Sequence, residues 1–225
     1  MMTVLGADML DVDPETMSLA DRAYLTIQDK LIMLDIRPNE AVVESELASQ
    51  LGVGRTPVRE ALKRLEADRL VVSFPRRGTF ATGVDVADLR HISQIRMSLE
   101  PVAARTAAES ASSAMRQQLI ELADRTEALD LENIERHELM RWDLRVHRAI
   151  YRATGNPHLE DVLVRYDNLA SRIFCLFLDR LPTVAQHVAE HTELLRTIAA
   201  GDADAAAQIA LDHVTGFEES VRAIV

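Results

Sequence analysis

The chain is poor in the residues that mark disulfide-rich, membrane-embedded and all-β proteins. Its 225 residues include one cysteine, Cys175, which excludes an intramolecular disulfide and suits a reducing compartment. Aromatic residues make up only 4%, and eight glycines and seven prolines leave long stretches without helix breakers. No apolar run approaches the roughly 18 residues of a membrane span, and residues 1–17 lack the basic residues that begin a signal peptide. These absences predict a mostly helical, cytoplasmic protein with no membrane partner.

Charge is unevenly distributed along the chain. The net charge is −11, of which residues 1–17 contribute −4, residues 18–82 contribute +1 and residues 83–225 contribute −8. The middle segment contains a stretch in which a single acid, Glu60, accompanies four bases: Arg55, Arg59, Lys63 and Arg64. An acidic body with one basic face is compatible with selective binding of nucleic acid.

Residues 18–82 have the pattern of a small DNA-binding domain. Three helical segments precede two strand-like runs that the turn Pro75-Arg76-Arg77-Gly78 connects, in the order 18–35, 44–51, 55–68, 70–74 and 79–82. Helix, turn, helix and β-hairpin in this order predict a winged helix-turn-helix, which places one helix in the major groove of DNA. Residues 1–17 show no sustained period, and we expect them to form a mobile tail.

The helix predicted over residues 55–68 has a basic face. Arg55, Arg59 and Lys63 recur every four residues, so their side chains project together on the side opposite the apolar stripe. Pro57 is tolerated only in the first turn, which places the helix start near Gly54–Thr56. A solvated charged surface is the alternative, but the short preceding helix and the Arg-Arg-Gly turn favour contact with DNA.

This stretch resembles the DNA-binding domain of the GntR superfamily of repressors. The resemblance rests on residues 47–65, which read LASQLGVGRTPVREALKRL, and on the turn Pro75–Gly78. It implies that Arg55 and Arg59 contact operator bases and phosphates and that Arg77-Gly78 enters the minor groove. With the positions that project beside them, the expected DNA contacts are Arg55, Thr56, Arg59, Lys63, Arg76, Arg77 and Gly78.

Three positions depart from the family pattern. Gly54 stands where Ser is usual, which leaves Thr56 as the expected cap of the helix. Asp68-Arg69 replaces an acidic residue followed by Gly, so the next turn lacks a residue that adopts a left-handed backbone easily. Ser45 occupies a position that is often Arg in relatives, which implies one phosphate contact fewer.

Residues 83–225 have helical periodicity almost throughout and predict an all-α bundle. Helices are expected near 86–110, where Pro101 can interrupt the helix, and near 112–130, 132–154, 157–180, 183–200 and 203–224. Polar residues interrupt the apolar stripes of three of them. Asp143 and His147 lie one turn apart on the third of these helices, His191 lies on the fifth and His213 on the sixth.

Buried without partners, each of these four side chains would cost on the order of a few kcal/mol in desolvation. One divalent metal ion would satisfy all four, and their nitrogen and oxygen ligands suit Zn²⁺ or Ni²⁺, with Mn²⁺ also compatible. The alternative is a set of separate hydrogen bonds in the core, which is the more common arrangement for a lone buried histidine.

The same spacing resembles the C-terminal ligand-binding domain of FadR-type GntR regulators, called FCD. In many members these positions bind one metal ion that helps to hold a carboxylate effector. The resemblance implies one metal ion per subunit at Asp143, His147, His191 and His213. His187, one turn before His191, is the main competitor for the third position.

A further interruption of an apolar stripe is Arg96, which matches an arginine that reaches into the FCD pocket. A guanidinium beside a metal ion would hold a carboxylate through two parallel donors. The alternative is an ion pair with Glu100 or Asp143. Asn168 and Arg172, on the fourth helix of the bundle, are expected to complete the effector pocket.

These patterns predict a homodimeric repressor that binds a pseudo-palindromic operator, because two recognition helices one turn of duplex apart read such a site better than one. A small organic acid is the expected effector. Two alternatives stay open. One is a hydrolase in which Glu190 or Glu193 serves as general base beside the metal. The other is a direct metal sensor.

Overall fold

A computed structural model describes residues 17–131, 133–181 and 184–224, so all of the expected mobile tail except Met17 lies outside the described residues. The chain forms two compact units that divide between Asp85 and Val86. The winged helix-turn-helix followed by an all-α domain is confirmed. Among the described residues, no helix has the length and apolar composition needed to cross a membrane.

The first unit consists of three helices and a small sheet: α1 (Leu19–Ile32), β1 (Ala41–Val42), α2 (Glu44–Leu51), α3 (Arg55–Ala67), β2 (Val71–Phe74) and β3 (Gly78–Ala81). The apolar stripe of α3 is buried, with Val58 and Leu65 fully inaccessible to solvent. The strands form an antiparallel sheet in the order β1-β3-β2, and Phe74 pairs with Gly78 at the tip of the wing. The sequence does not predict strand β1, because two residues are too few to show the alternation of apolar and polar side chains that marks a strand.

Two local expectations for α3 differ from the structure. Gly54 itself is the N-cap residue, without a side-chain hydrogen bond, and Thr56 lies inside the first turn, so the expected cap is wrong. Arg69 adopts a left-handed backbone with φ of 63°, although it is not glycine. The turn is held in place because Thr82 Oγ1 donates a hydrogen bond of 2.8 Å to the Arg69 carbonyl. Long-range contacts therefore impose the backbone that local propensity disfavours.

The second unit is the helical bundle. After a 3₁₀ turn at Val86–Asp88 it consists of α4 (Leu89–Ser110), α5 (Ser113–Glu127), α6 (Arg136–Ala153), α7 (Pro157–Leu176), a 3₁₀ turn at Leu178–Arg180, α8 (Val184–Ala200) and α9 (Ala203–Arg222). α4 packs along α9 and α7, α6 packs against α7 and α8, and α5 packs against α8. α4 continues through Pro101, since buried residues on both sides of it, including Glu100 and Ala103, hold the helix against the bundle.

Two of these helices are shorter than the sequence predicts. α6 begins four residues after the predicted start, and α7 ends four residues before the predicted end. α6 begins at Arg136, where Glu135 is the N-cap residue, and α7 ends at Leu176 before the chain tightens into the 3₁₀ turn. The interior of this unit is not uniformly apolar. Polar and charged side chains from α4, α6, α7, α8 and α9 are buried at its centre.

Candidate metal centre and nucleic-acid interface

Four buried side chains from three helices meet inside the bundle. Asp143 and His147 come from α6, His191 from α8 and His213 from α9, and each places one possible ligand atom within 4.8 Å of the others. All four side chains are almost completely buried. The structure therefore brings together the four residues that the apolar stripes and the FCD resemblance single out.

The three imidazole rings share one arrangement, in which Nδ1 faces an oxygen acceptor. The acceptors and distances are Glu100 Oε2 for His147 at 3.0 Å, the Val188 carbonyl for His191 at 3.2 Å and Glu190 Oε2 for His213 at 3.1 Å. When Nδ1 carries the proton, Nε2 keeps its lone pair for a metal ion, and outer carboxylates and carbonyls fix metal-binding histidines in this way.

The Nε2 atoms of His147 and His191 face the Asp143 carboxylate. His147 Nε2 lies 3.4 Å from His191 Nε2, and Asp143 Oδ1 lies 3.7 Å and 3.6 Å from these two atoms. Two ligand atoms of one tetrahedral zinc ion lie about 3.3 Å apart. His213 Nε2 is shielded from solvent and makes no hydrogen bond with the described residues. This donor set fits a divalent cation.

The electrostatics of the cluster depend on its carboxylates. Burial by itself would lower the pKa of His147, but the carboxylates of Glu100 and Asp143 outweigh it and raise that pKa to about 9. Burial would likewise raise the pKa of Asp143, but attraction to His147, and also to His187, holds it well below its ordinary value. The cluster therefore favours an ionised Asp143 and positive charge at His147.

The other two rings stay neutral. Burial lowers the pKa of His191 to about 3, and burial together with the nearby His187 holds the pKa of His213 well below the ordinary value. A neutral imidazole is the form that binds a metal ion, so these two rings need no proton removed before they can act as ligands.

Arg96 is buried beside the cluster and forms the ion pair that the sequence left as the alternative. Its Nε lies 2.6 Å from Glu100 Oε1, and its Nη2 lies 3.2 Å from Asp167 Oδ1. Glu100 thereby joins Arg96 on α4 to His147 on α6. Asp167, whose pKa burial raises to about 6, is absent from the residues that the sequence predicted. It interrupts the apolar stripe of α7, as Asp143 does on α6, and that signal could have identified it.

Asn168 and Arg172, expected in the effector pocket, are both buried on α7. Asn168 Oδ1 accepts a hydrogen bond of 2.9 Å from Arg148 Nη2. Burial lowers the pKa of the Arg172 guanidinium to about 10. Their contact with an effector stays a prediction.

His187 lies at the edge of the cluster, not among the four. Its Nε2 is 3.3 Å from Asp143 Oδ1. Its ring stacks on His213 and on Phe217, with centroid separations of 3.8 Å and 3.9 Å. His187 instead forms a separate group of possible ligands with Glu190 and His213.

The expected DNA contacts are all exposed on the first unit: Arg55, Thr56, Arg59, Lys63, Arg76, Arg77 and Gly78. Arg59 forms a two-pronged pair with Glu44 of α2, at 2.9 Å and 3.3 Å. Arg64, although basic, lies 2.6 Å from Asp21 and above the Tyr24 ring of α1. It thus anchors α3 to α1.

The wing ends in a tight turn. Arg76 and Gly78 both have positive φ, at 64° and 96°, and Gly78 adopts this conformation without steric cost. The turn projects the side chains of Arg76 and Arg77 into solvent. The described geometry is therefore that of an exposed basic helix beside an exposed basic wing.

Comparison with known proteins agrees with this architecture. Residues 19–81 match the family of bacterial regulatory proteins called gntR, and residues 91–216 match the FCD domain. An uncharacterised HTH-type transcriptional regulator in an unstable DNA locus of Streptomyces ambofaciens is 26% identical over 201 residues, which are 89% of this chain and 84% of that protein.

The galactonate operon transcriptional repressor of Escherichia coli strain K12 is 24% identical over 230 residues, covering 93% of this chain and 99% of that protein. The solved structure of E. coli McbR/YncC has the same fold, with a TM-score of 0.79 at 20% identity over 93% of this chain and 99% of that chain. The relatives are regulators and not hydrolases. The chain therefore belongs to the GntR family of bacterial regulatory proteins with an FCD domain, and it is a DNA-binding transcriptional regulator.

Proposed function

We propose that each chain binds one divalent metal ion through Asp143, His147, His191 and His213, and that a small carboxylate effector bound there controls operator binding. The observation that carries this proposal is the shared orientation of the three rings, whose Nδ1 atoms all face oxygen acceptors. The Nε2 atoms of His147 and His191 face the Asp143 carboxylate, and His213 Nε2 is buried without a hydrogen-bond partner among the described residues. When bound, the ion supplies a Lewis-acid contact for a carboxylate oxygen.

The charge of the cluster supports a divalent ion. Glu100, Asp143 and Asp167 supply three buried carboxylates, and Arg96 supplies one guanidinium between them. This leaves an excess of two negative charges when the histidines are neutral. Nitrogen ligands with one carboxylate suit Zn²⁺ or Ni²⁺, and an ion that accepts more than four ligands has room for an effector carboxylate.

The ion pairs of the cluster support coupling between helices. Arg96 and Glu100 come from α4, His147 from α6 and Asp167 from α7, so an anion that enters the cluster alters contacts on three helices. An effector changes operator affinity only by binding two states of the protein with different affinity. The name of one relative, a galactonate operon repressor, supports a hydroxy carboxylate as the effector class.

On the DNA side, the exposed basic face of α3 and the wing support operator binding. We expect a homodimer in which each α3 enters a major groove and each wing tip, at Arg76–Gly78, enters the minor groove of a pseudo-palindromic site. Repression that the effector relieves is the proposed mode of action.

The test combines metal analysis with DNA binding. The purified protein is expected to contain about one metal ion per chain by elemental analysis, and a subset of carboxylates, galactonate included, is expected to raise its melting temperature only while metal is bound. Those acids should also change its affinity for DNA selected from a randomised pool. A protein without metal after purification and after incubation with Zn²⁺ or Ni²⁺ would refute the site. DNA binding that responds to metal and chelator but to no acid would favour the metal sensor.

A further inference from the structure

A surface pocket of about 230 Å³ lies between α8 and α9, next to the inner cluster of Asp143, His147, His191 and His213. Its lining includes His187, Glu190, Asp212 and Phe217. Glu190 and Asp212 are exposed at the surface, whereas His187 is buried at the inner end. The pocket therefore leads from solvent to a ring that touches the inner cluster.

The charge of the pocket favours a cation as its occupant. Glu190 and Asp212 contribute two carboxylates, and among the described residues that line the pocket there is no lysine or arginine. A concave surface lined by one sign of charge concentrates ions of the opposite sign and raises their rate of binding. An organic acid would be repelled by the same surface.

His187 connects the pocket with the inner cluster through its two ring nitrogens. Nδ1 lies 3.8 Å from Glu190 Oε2, and Nε2 lies 3.3 Å from Asp143 Oδ1. His187, Glu190 and His213 also form a second group whose possible ligand atoms lie within 4.8 Å of one another. The imidazole of His187 and the carboxylate of Glu190 thus face each other within the lining of an acidic pocket.

We propose that the α8–α9 pocket is a capture site for a hydrated divalent cation, held first by Glu190 and His187 and then passed to the inner cluster. The transfer requires movement of the His187 ring, which is packed by stacking against His213 and Phe217. This inference rests on the proposed inner metal site. It assigns His187 to the route of the ion and not to its final ligand set.

The test measures the kinetics of Co²⁺ uptake and release by the full chain, followed by the visible absorption of the bound ion. Asp212→Asn removes one of the two carboxylate charges of the pocket at an exposed residue that is neither a proposed ligand nor a partner of one. Uptake is expected to slow by on the order of tenfold, and release to a chelator should slow by the same factor, since both directions use one route. The final occupancy should stay at one ion per chain. Glu193→Gln removes a charge at an exposed position of α8 that does not line the pocket; it is the matched control and should behave like the wild type.

A second variant tests the ring itself. His187→Phe keeps an aromatic ring to stack on Phe217 but has no ring nitrogen, and uptake and release should again slow together without loss of occupancy. Unchanged rates in both variants would refute the capture site. Faster release with lower occupancy in His187→Phe would refute it as well, because His187 would then be a ligand of the bound ion. If the wild type itself takes up no Co²⁺, the inner site and the capture site both fail; if it does and the variants match it, only the capture site fails.

Discussion

Replacement of His191 by alanine should abolish metal binding and the stability that depends on it. His191 is completely buried, and its Nε2 lies 3.4 Å from His147 Nε2 and 3.6 Å from Asp143 Oδ1. The substitution removes one of four ligands at the centre of the cluster. It also opens a cavity, which lowers stability whether or not metal is present.

The two effects differ in size and in their dependence on metal. A free metal concentration of a thousand times the dissociation constant stabilises the folded wild type by about 4 kcal/mol. In a chain of this length each kcal/mol corresponds to about 2–4 °C in melting temperature, so metal should raise the wild-type Tm by about 8–16 °C. The cavity in the variant costs on the order of 2–5 kcal/mol whether or not metal is added.

The assay is thermal unfolding of each protein with Zn²⁺ and with a chelator. The difference between the two melting temperatures should be large in the wild type and close to zero in His191→Ala. His191→Leu refills most of the cavity but supplies no ligand atom. Its melting temperature should be higher than that of His191→Ala and should likewise not depend on metal. His137→Ala, at an exposed histidine on α6, should retain the wild-type difference. Full metal occupancy in His191→Ala would refute the assignment and favour His187.

Three further outcomes are expected. Arg59→Ala should weaken operator binding by on the order of 1–3 kcal/mol in fluorescence anisotropy if this side chain contacts a base; unchanged affinity would remove it from the interface. Glu44→Gln should tighten operator binding by up to about 1 kcal/mol, since it releases Arg59 from an exposed ion pair; weaker binding would show that Glu44 positions Arg59. Metal uptake at neutral pH should release about one proton, because the pKa of His147 is raised to about 9 while those of His191 and His213 are lowered. Metal affinity should therefore fall as the pH drops below about 9, and calorimetry that finds no proton release would contradict this.

The sequence predicts the helical framework because periodicity reports which side chains face a core. On α8 the stripe Val188, His191 and Leu195 is buried as its spacing indicates. The same periodicity indicates that His191, and not an exposed residue such as Glu193, turns inward. It favours His191 over His187, but both are buried and lie one turn apart, so burial does not separate them.

Contacts between helices are beyond what periodicity can show. Asp167 lies on α7 and meets Arg96 of α4 only because these two helices pack together, whereas Glu100 lies one turn from Arg96 on α4 itself. The left-handed backbone of Arg69 likewise follows from the fold, which holds this residue in a turn that its own side chain disfavours. The Nδ1 partners of His147 and His213, which are Glu100 and Glu190, also come from other helices, whereas the Val188 carbonyl that faces His191 Nδ1 lies on the same helix.

Asp143, His147, His191 and His213 are proposed to bind one metal ion. The most direct test is anomalous diffraction at the absorption edge of Zn²⁺ or Ni²⁺ from crystals of the full chain. The expected result is one peak per chain, about 2.0–2.2 Å from the Nε2 atoms of the three histidines and from an Asp143 carboxylate oxygen. No peak there, or a peak coordinated by His187 in place of His191, would contradict the assignment.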